Sequence, residues 1–169
     1  LLRSSQMSRP LMQELLESKD WALVHVGAMH VIFLRRDGEN AKLAEKYAIN
    51  QLHFDRGRYI EELRGMDPKP AFALQCGGTL LQRLGWDYAA IDVLKAAVET
   101  DEEYGPAWFR LGETYALRAN LLLRGDEDQR NPVVGLQYLQ TAYQCFDRAL
   151  ALDLPEPYAA QAVQLREAI

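Results

Sequence analysis

The stretch PAWFRLGETY, residues 106–115, sets Trp108, Leu111, Gly112 and Tyr115 along one face of a helix. Apolar residues three and four apart describe an amphipathic helix. Gly112 is the odd member of the set, because glycine in a helix interior costs about 1 kcal/mol relative to alanine. Its place beside Leu111 predicts that another element presses on this helix where a side chain would not fit.

A shift of 34 residues towards the N-terminus lands on Leu74, Gly77, Gly78 and Leu81, with Gly85, Ala90, Leu94 and Ala97 following. A second shift lands on Leu43, Ala44 and Tyr47, with Ile60, Leu63 and the pair Asp67-Pro68 completing the unit. A period shared by three units marks a repeat architecture, in which no unit buries its apolar face alone and neighbours must stack.

On these residues the chain resembles the tetratricopeptide-repeat family, whose pattern is Trp-x2-Leu-Gly-x2-Tyr, then Ala-x3-Phe, then a closing Pro. Trp108, Leu111, Gly112 and Tyr115 match the first half. Ala142, Phe146 and Ala149 match the second, with Pro155 one residue late. The resemblance spans residues 37–156 and thins in the first unit, where Arg56 stands at a usually small position and Gly57 weakens the helix. It implies a mainly α fold, an α-solenoid of antiparallel helix pairs, with repeats at 37–70, 71–104 and 105–156. Small residues at the crossings, Gly112 against Ala142 in the third unit, would let the backbones approach.

The predicted helices are 39–51, 55–65, 71–84, 87–99, 105–124 and 133–152. The last pair is long, because Tyr115 and Ala142 are separated by about 18 residues more than the repeat pattern has there. The surplus, near 116–141, reads as extra turns on both helices with a polar loop, RGDEDQRNP, at the tip. Such an extension would carry Leu121, Leu122, Leu123, Val133, Val134 and Leu136 beyond the stack, where they could mediate self-association, as in a homodimer. Residues 155–169 form a terminal helix that caps the array.

Residues 1–36 read differently. RPLMQELLES, residues 9–18, is a short helix with Ser8 as cap and Pro10 in the first turn. WALVHVGAMHVIFLRRD is rich in β-branched and aromatic residues and predicts a hairpin turning at Gly27-Ala28. Val26 would then face Met29, His25 would face His30 and Trp21 would face Leu34. LMQELLESKDWALVHVGAMHVIFLRR is also similar to a segment that follows the last membrane span of polytopic bacterial glycosyltransferases, through Trp21, His25, Phe33, Arg35 and Arg36. That resemblance implies an extracytoplasmic, non-catalytic tail, attached to a membrane only through a part that precedes Leu1. The opening LLRSSQMSRPLM, with Leu and not Met first, fits the edge of a longer or processed chain.

Composition narrows the function. Hydrophobic residues make up 49% of the 169-residue chain, enough for a packed core. A formal net charge of −5 argues against a nucleic-acid partner held by phosphate attraction. No apolar run approaches the roughly 20 residues that cross a bilayer, which leaves a soluble domain, cytoplasmic or extracytoplasmic. Cys76 and Cys145 have no zinc or redox spacing and read as two buried thiols. His25 and His30 could approach one metal ion but lack a third ligand, and His53 stands alone, so no metal site is expected. The acidic runs fall at helix ends and loops. Gly77-Gly78 lies mid-helix and forms no phosphate loop. No catalytic residue and no cofactor is expected.

What remains is a binding surface for a protein or peptide, the role of a scaffold or adaptor. In the repeat family the first helix of each unit lines the concave side. Carried onto this chain, that face comprises Ala41, Glu45 and Ala48, then Phe72, Gln75, Thr79, Gln82 and Arg83, then Phe109, Glu113 and Ala116. Phe72 and Phe109 would anchor an apolar group, with Arg83 and Glu113 setting its orientation. The family's carboxylate clamp needs Lys and Asn where Gln75 and Thr79 stand, so capture of a chaperone tail is not expected.

Overall fold

The computed structural model describes residues 2–3, 9–66, 68–126 and 130–169. The chain is mainly helical, with a small antiparallel sheet near its N-terminus and a helix at its C-terminus. It divides into two compact units, Leu1–Val93 and Leu94–Ile169.

The first unit contains β1 (Leu2–Arg3), α1 (Arg9–Glu17), β2 (Trp21–Val26), β3 (His30–Arg35), α2 (Ala41–Tyr47), α3 (Arg56–Arg64), α4 (Pro70–Arg83) and the start of α5 (Asp87–Thr100). The sheet order is β1-β3-β2 with both pairings antiparallel. Trp21 lies opposite Arg35 and Val26 opposite Val31, with a bulge between Leu23 and His25. The turn is displaced by one residue from the expected one: Gly27 N–H donates to His30 O at 2.9 Å, so Ala28 and Met29 are its central pair. Glycine at 27 serves a close approach instead, since a Cβ there would lie 2.7 Å from the His30 ring. With a strand period of two, that displacement and the bulge together overturn the expected pairs Val26–Met29, His25–His30 and Trp21–Leu34.

The first predicted repeat is the other departure. Its leading helix shrinks from 39–51 to Ala41–Tyr47, flanked by 3-10 turns at Gly38–Asn40 and Gln51–His53. Ala48 leaves the helix at ψ 123°, and Ile49 N–H donates 2.7 Å to Leu23 O beside the bulge. A backbone carbonyl of the sheet thus competes for the amide that would have continued the helix. α2 packs on β2 and β3 and buries one residue, Ala44. α3 packs on α4. Asp55 caps α3 by accepting Arg58 N–H at 3.0 Å. α4 begins with Pro70 and ends in a left-handed Gly85, φ 79°, where Trp86 N–H reaches back to Leu81 O at 3.0 Å. α1 covers β2 and touches α4, with Met12 fully buried.

The second unit holds the rest of α5, then α6 (Gly105–Arg124), α7 (Pro132–Ala151) and α8 (Tyr158–Glu167). α6 and α7 match the expected long pair within a residue. Asn131 caps α7 by accepting Val134 N–H at 3.2 Å. Three glycines mark the close approach along this hairpin: Gly105 near Leu152 and Ala149, Gly112 near Phe146 and Cys145, Gly135 near Leu123 and Leu122. Gly112, expected to cross Ala142, lies beneath the Phe146 ring and beside Cys145, with Ala142 fully buried one turn earlier on α7. Tyr115 meets Tyr138 edge to face, 5.1 Å between centroids. Trp108 is half-buried, its indole N–H donating to Glu102 O at 3.0 Å across the start of α6. α8 packs against both α7 and α6, where the terminal cap was expected. Ser8, Asp67 and residues 127–129 of the polar loop lie outside the described residues.

Candidate functional site

The residues assigned to a binding face fall in both units. In the first unit Phe72, Gln75, Thr79, Gln82 and Arg83 follow one side of α4. Phe72 is exposed and the other four are half-buried. The Thr79 hydroxyl donates to Gln75 O at 2.8 Å and accepts from the Gln75 side-chain amide at 3.1 Å. That mutual bond fixes two polar side chains on the helix surface and leaves Phe72 as the apolar projection of this face. Ala41, Glu45 and Ala48 belong to α2 or its C-cap, whose packing partner is the sheet.

In the second unit the face of α6 opens as a shallow groove of about 280 Å³, lined by Glu113, Ala116, Leu117, Asn120 and, from α8, Leu165. Glu113 and Ala116 were both expected here. Phe109 was expected as an exposed anchor, and this is corrected: it is fully buried, its ring 5.4 Å from that of Tyr158 and 6.0 Å from that of Phe146. α8 covers it, because burying a side chain of this size contributes on the order of 2 kcal/mol. The Arg110 guanidinium lies over both rings, 5.4 Å from the Phe109 centroid and 5.1 Å from Tyr158, and pairs with Glu113 at 2.6 Å. The groove thus has apolar walls and, at one end, a half-buried ion pair clamped by aromatic rings.

A larger cleft, about 490 Å³, lies in the first unit between the hairpin end and α3, where no site was expected. His25, His53, Phe54, Asp55, Arg58 and Tyr59 are among its walls. His53, read as solitary, is placed here by the 3-10 turn: its backbone N–H and its Nδ1 each lie 3.0 Å from Asn50 Oδ1. An amide oxygen only accepts, so Nδ1 is the donor in this contact. The His25 and His30 rings do meet, 5.2 Å apart, although His25 pairs in register with Ile32. Arg58 is engaged by Glu62 at 2.9 Å and Asp55 by the start of α3. The Tyr59 hydroxyl donates to Gly27 O at 2.8 Å, and burial, reinforced by the nearby Cys76 and Glu62, holds its pKa far above the ordinary tyrosine value. Among the described residues, no three His, Cys, Asp or Glu side chains are grouped to hold a metal ion.

No family model, no curated protein and no solved structure matches the chain.

The residues assigned to self-association separate on burial. Val133 and Leu136 are exposed at 67% and 61%. Leu121, Leu123 and Val134 are half-buried, and Leu122 is buried, which corrects its assignment to an exposed knob. The reason is the close approach at Gly135: its missing side chain brings α7 onto Leu122 and Leu123, so the extension packs upon itself. Among the described residues, no helix is long and apolar enough to cross a membrane. Neither cysteine forms a disulfide. Cys145 is buried as expected, while Cys76 is only half-buried.

Proposed function

We propose that this chain is a protein-interaction module, a scaffold or adaptor that receives a peptide or protein segment on its helical surface and needs no catalytic group of its own. One observation carries the reading: the groove along α6, where Glu113 and Ala116 stand beside Leu117, Asn120 and Leu165. An open trough with apolar walls and a fixed polar end suits a side-chain row presented by a helix or an extended strand. The exposed Phe72 on α4 offers a second apolar contact of the same kind.

Selection of peptides from a displayed random library against the wild-type chain, followed by titration against Ala116→Arg, tests this. Ala116 is half-buried at the groove, so arginine there fills the trough without entering the core. Selected peptides should lose at least tenfold in affinity, about 1.4 kcal/mol. Equal binding to both proteins would remove the groove from the reading.

A second reading, self-association through α7, is favoured by exposure of Val133, Leu136 and Tyr143 on that helix. Light scattering of wild type and Leu136→Asp decides it: a monomer in both cases ends that reading.

A further inference from the structure

The α6 groove has an occupant at one end. α8 crosses α6 and α7 and places three residues on them at helical spacing: Tyr158 against Phe109 and Arg110, Ala162 fully buried, and Leu165 as a wall of the open groove. Positions 158, 162 and 165 stand four and then three apart, the interval at which a helix sets side chains in a groove. α8 packs on α7 and α6 but buries one residue fully, Ala162, and its ion pair to α7 is solvent-exposed, Arg166 to Asp147 at 2.9 Å. Such pairs contribute little. Beneath it lies Phe109, fully covered while α8 is seated.

We propose that α8 is a resident ligand of the α6 surface, and that the natural partner displaces it with a helix of the same pattern: an aromatic residue, a small residue four positions on, and a leucine three beyond that. The inference rests on the interaction reading above and names both its partner class and its restraint. The seated helix shows what the surface accepts. The aromatic ring stacks on Phe109 under the Arg110 guanidinium, the small residue permits close approach, and the leucine enters the trough beside Ala116 and Leu117. While α8 is seated, an incoming helix meets only the fraction of molecules in which it has lifted, and its apparent affinity falls by that fraction.

The test uses a fluorescent peptide of residues 155–169 and three proteins spanning residues 1–169. Ala162→Arg drives the chain's own α8 off its seat. This variant should bind the peptide about tenfold or more tightly than wild type, and a peptide carrying Tyr158→Ala should bind neither. A helical Ala162→Arg protein that binds the peptide no better than wild type overturns the proposal. Should that variant lose its helical circular dichroism, hydrogen exchange of the wild type decides. Amides of α8 exchanging about a hundredfold faster than those of α6 and α7 support a displaceable helix, and matched rates overturn it. Arg166→Ala, the third protein, should quicken α8 exchange alone; quickening of α6 and α7 to the same degree also overturns it. The two readings fail separately. Library peptides that bind wild type and Ala162→Arg equally would keep the interaction module and end the resident-ligand inference. Binding of the α8 peptide alone, with no library peptide sensitive to Ala116→Arg, would do the reverse.

Discussion

Gly77 in α4 stands at the repeat place of Leu111, one residue before the equivalent of Gly112 in α6; both are glycines on a helix face, yet their neighbours differ. A Cβ on Gly112 would come within 2.8 Å of the Phe146 ring and 3.2 Å of Cys145 Cβ, so the space is needed for apolar packing alone. A Cβ on Gly77 would meet Leu63 Cδ1 at 2.6 Å and Tyr59 Oη at 2.7 Å, and that hydroxyl is committed to Gly27 O of the hairpin. In the second unit the glycine lets two long helices close on each other. In the first it makes room for a polar tie between helix and sheet. One sequence signal, a small residue on a helix face, therefore reports a close approach without reporting what approaches.

The largest break in that comparison is Phe146→Ala. Phe146 is fully buried, between Phe109 and Gly112. Truncation should cost about 3–5 kcal/mol, read as a fall in the urea midpoint, and α6 and α7 should lose hydrogen-exchange protection first. A loss below about 1 kcal/mol would mean that the glycine-to-ring contact does not hold the hairpin together.

The same contrast shows why one part of the fold was legible and another was not. α6 and α7 were readable to within a residue because their caps and their apolar period are local. Pro106 and Pro132 sit in first turns, and Asn131 stands at the cap. α2 was overestimated because its end is decided from outside: Ile49 N–H goes to Leu23 O, a partner 26 residues away that no periodicity announces. The hairpin was readable as a hairpin, but the bulge near Val24 and the role of Gly27 against the His30 ring hid its register. At the candidate site, the repeat resemblance put Glu113 and Ala116 on the concave face, and both line the α6 groove. It also put Phe109 on the same face, because the arrival of α8 there is a tertiary event. The His25–His53 cleft escaped for the same reason, since its walls come from separate elements.

Alkaline pH should weaken both units through different groups. Burial pushes the Cys145 thiol up to about 12, against a partial opposing pull from Lys95. Tyr115 is also raised, by burial first, and Tyr59 more strongly. In each case the folded chain keeps a proton that the unfolded chain releases. Stability is thus complete below the unfolded value and falls as pH rises past it, from about 9 for the thiol and about 10 for the tyrosines. The slope should be on the order of 1 kcal/mol per pH unit per group. Urea midpoints at pH 8 and pH 11 should show the decline, and Cys145→Ala should flatten it. An unchanged slope in that variant would mean the thiol is not kept protonated by its burial.

Tyr59→Phe isolates the tie in the first unit. It leaves the ring in place and strips Gly27 O of its buried donor, for a loss of about 1–2 kcal/mol. Exchange protection should fall in the hairpin and stay constant in α6 and α7. A loss in α6 and α7 as large as in the hairpin would contradict the division of labour between the two glycines.

The smallest contrast is between two arginines, each paired with a glutamate on its own helix. Arg58 and Glu62 are 78% and 54% exposed, a surface pair in water. Arg110 and Glu113 are 22% and 23% exposed, and Arg110 also lies over the Phe109 and Tyr158 rings. Solvent screening reduces the first pair to about 0.5 kcal/mol or less. Removing Arg110 loses a cation over two rings, the apolar packing of its stem and the partner of a half-buried carboxylate, so Arg110→Ala should cost about 1–2 kcal/mol. It should also loosen α8, because Tyr158 is one of the two rings. Raising salt should leave the Arg110→Ala effect nearly unchanged and erase that of Arg58→Ala, since screening acts on the exposed pair. If salt erases both equally, the pair on α6 is an ordinary surface contact, and the ring-clamped end of the groove loses its physical basis.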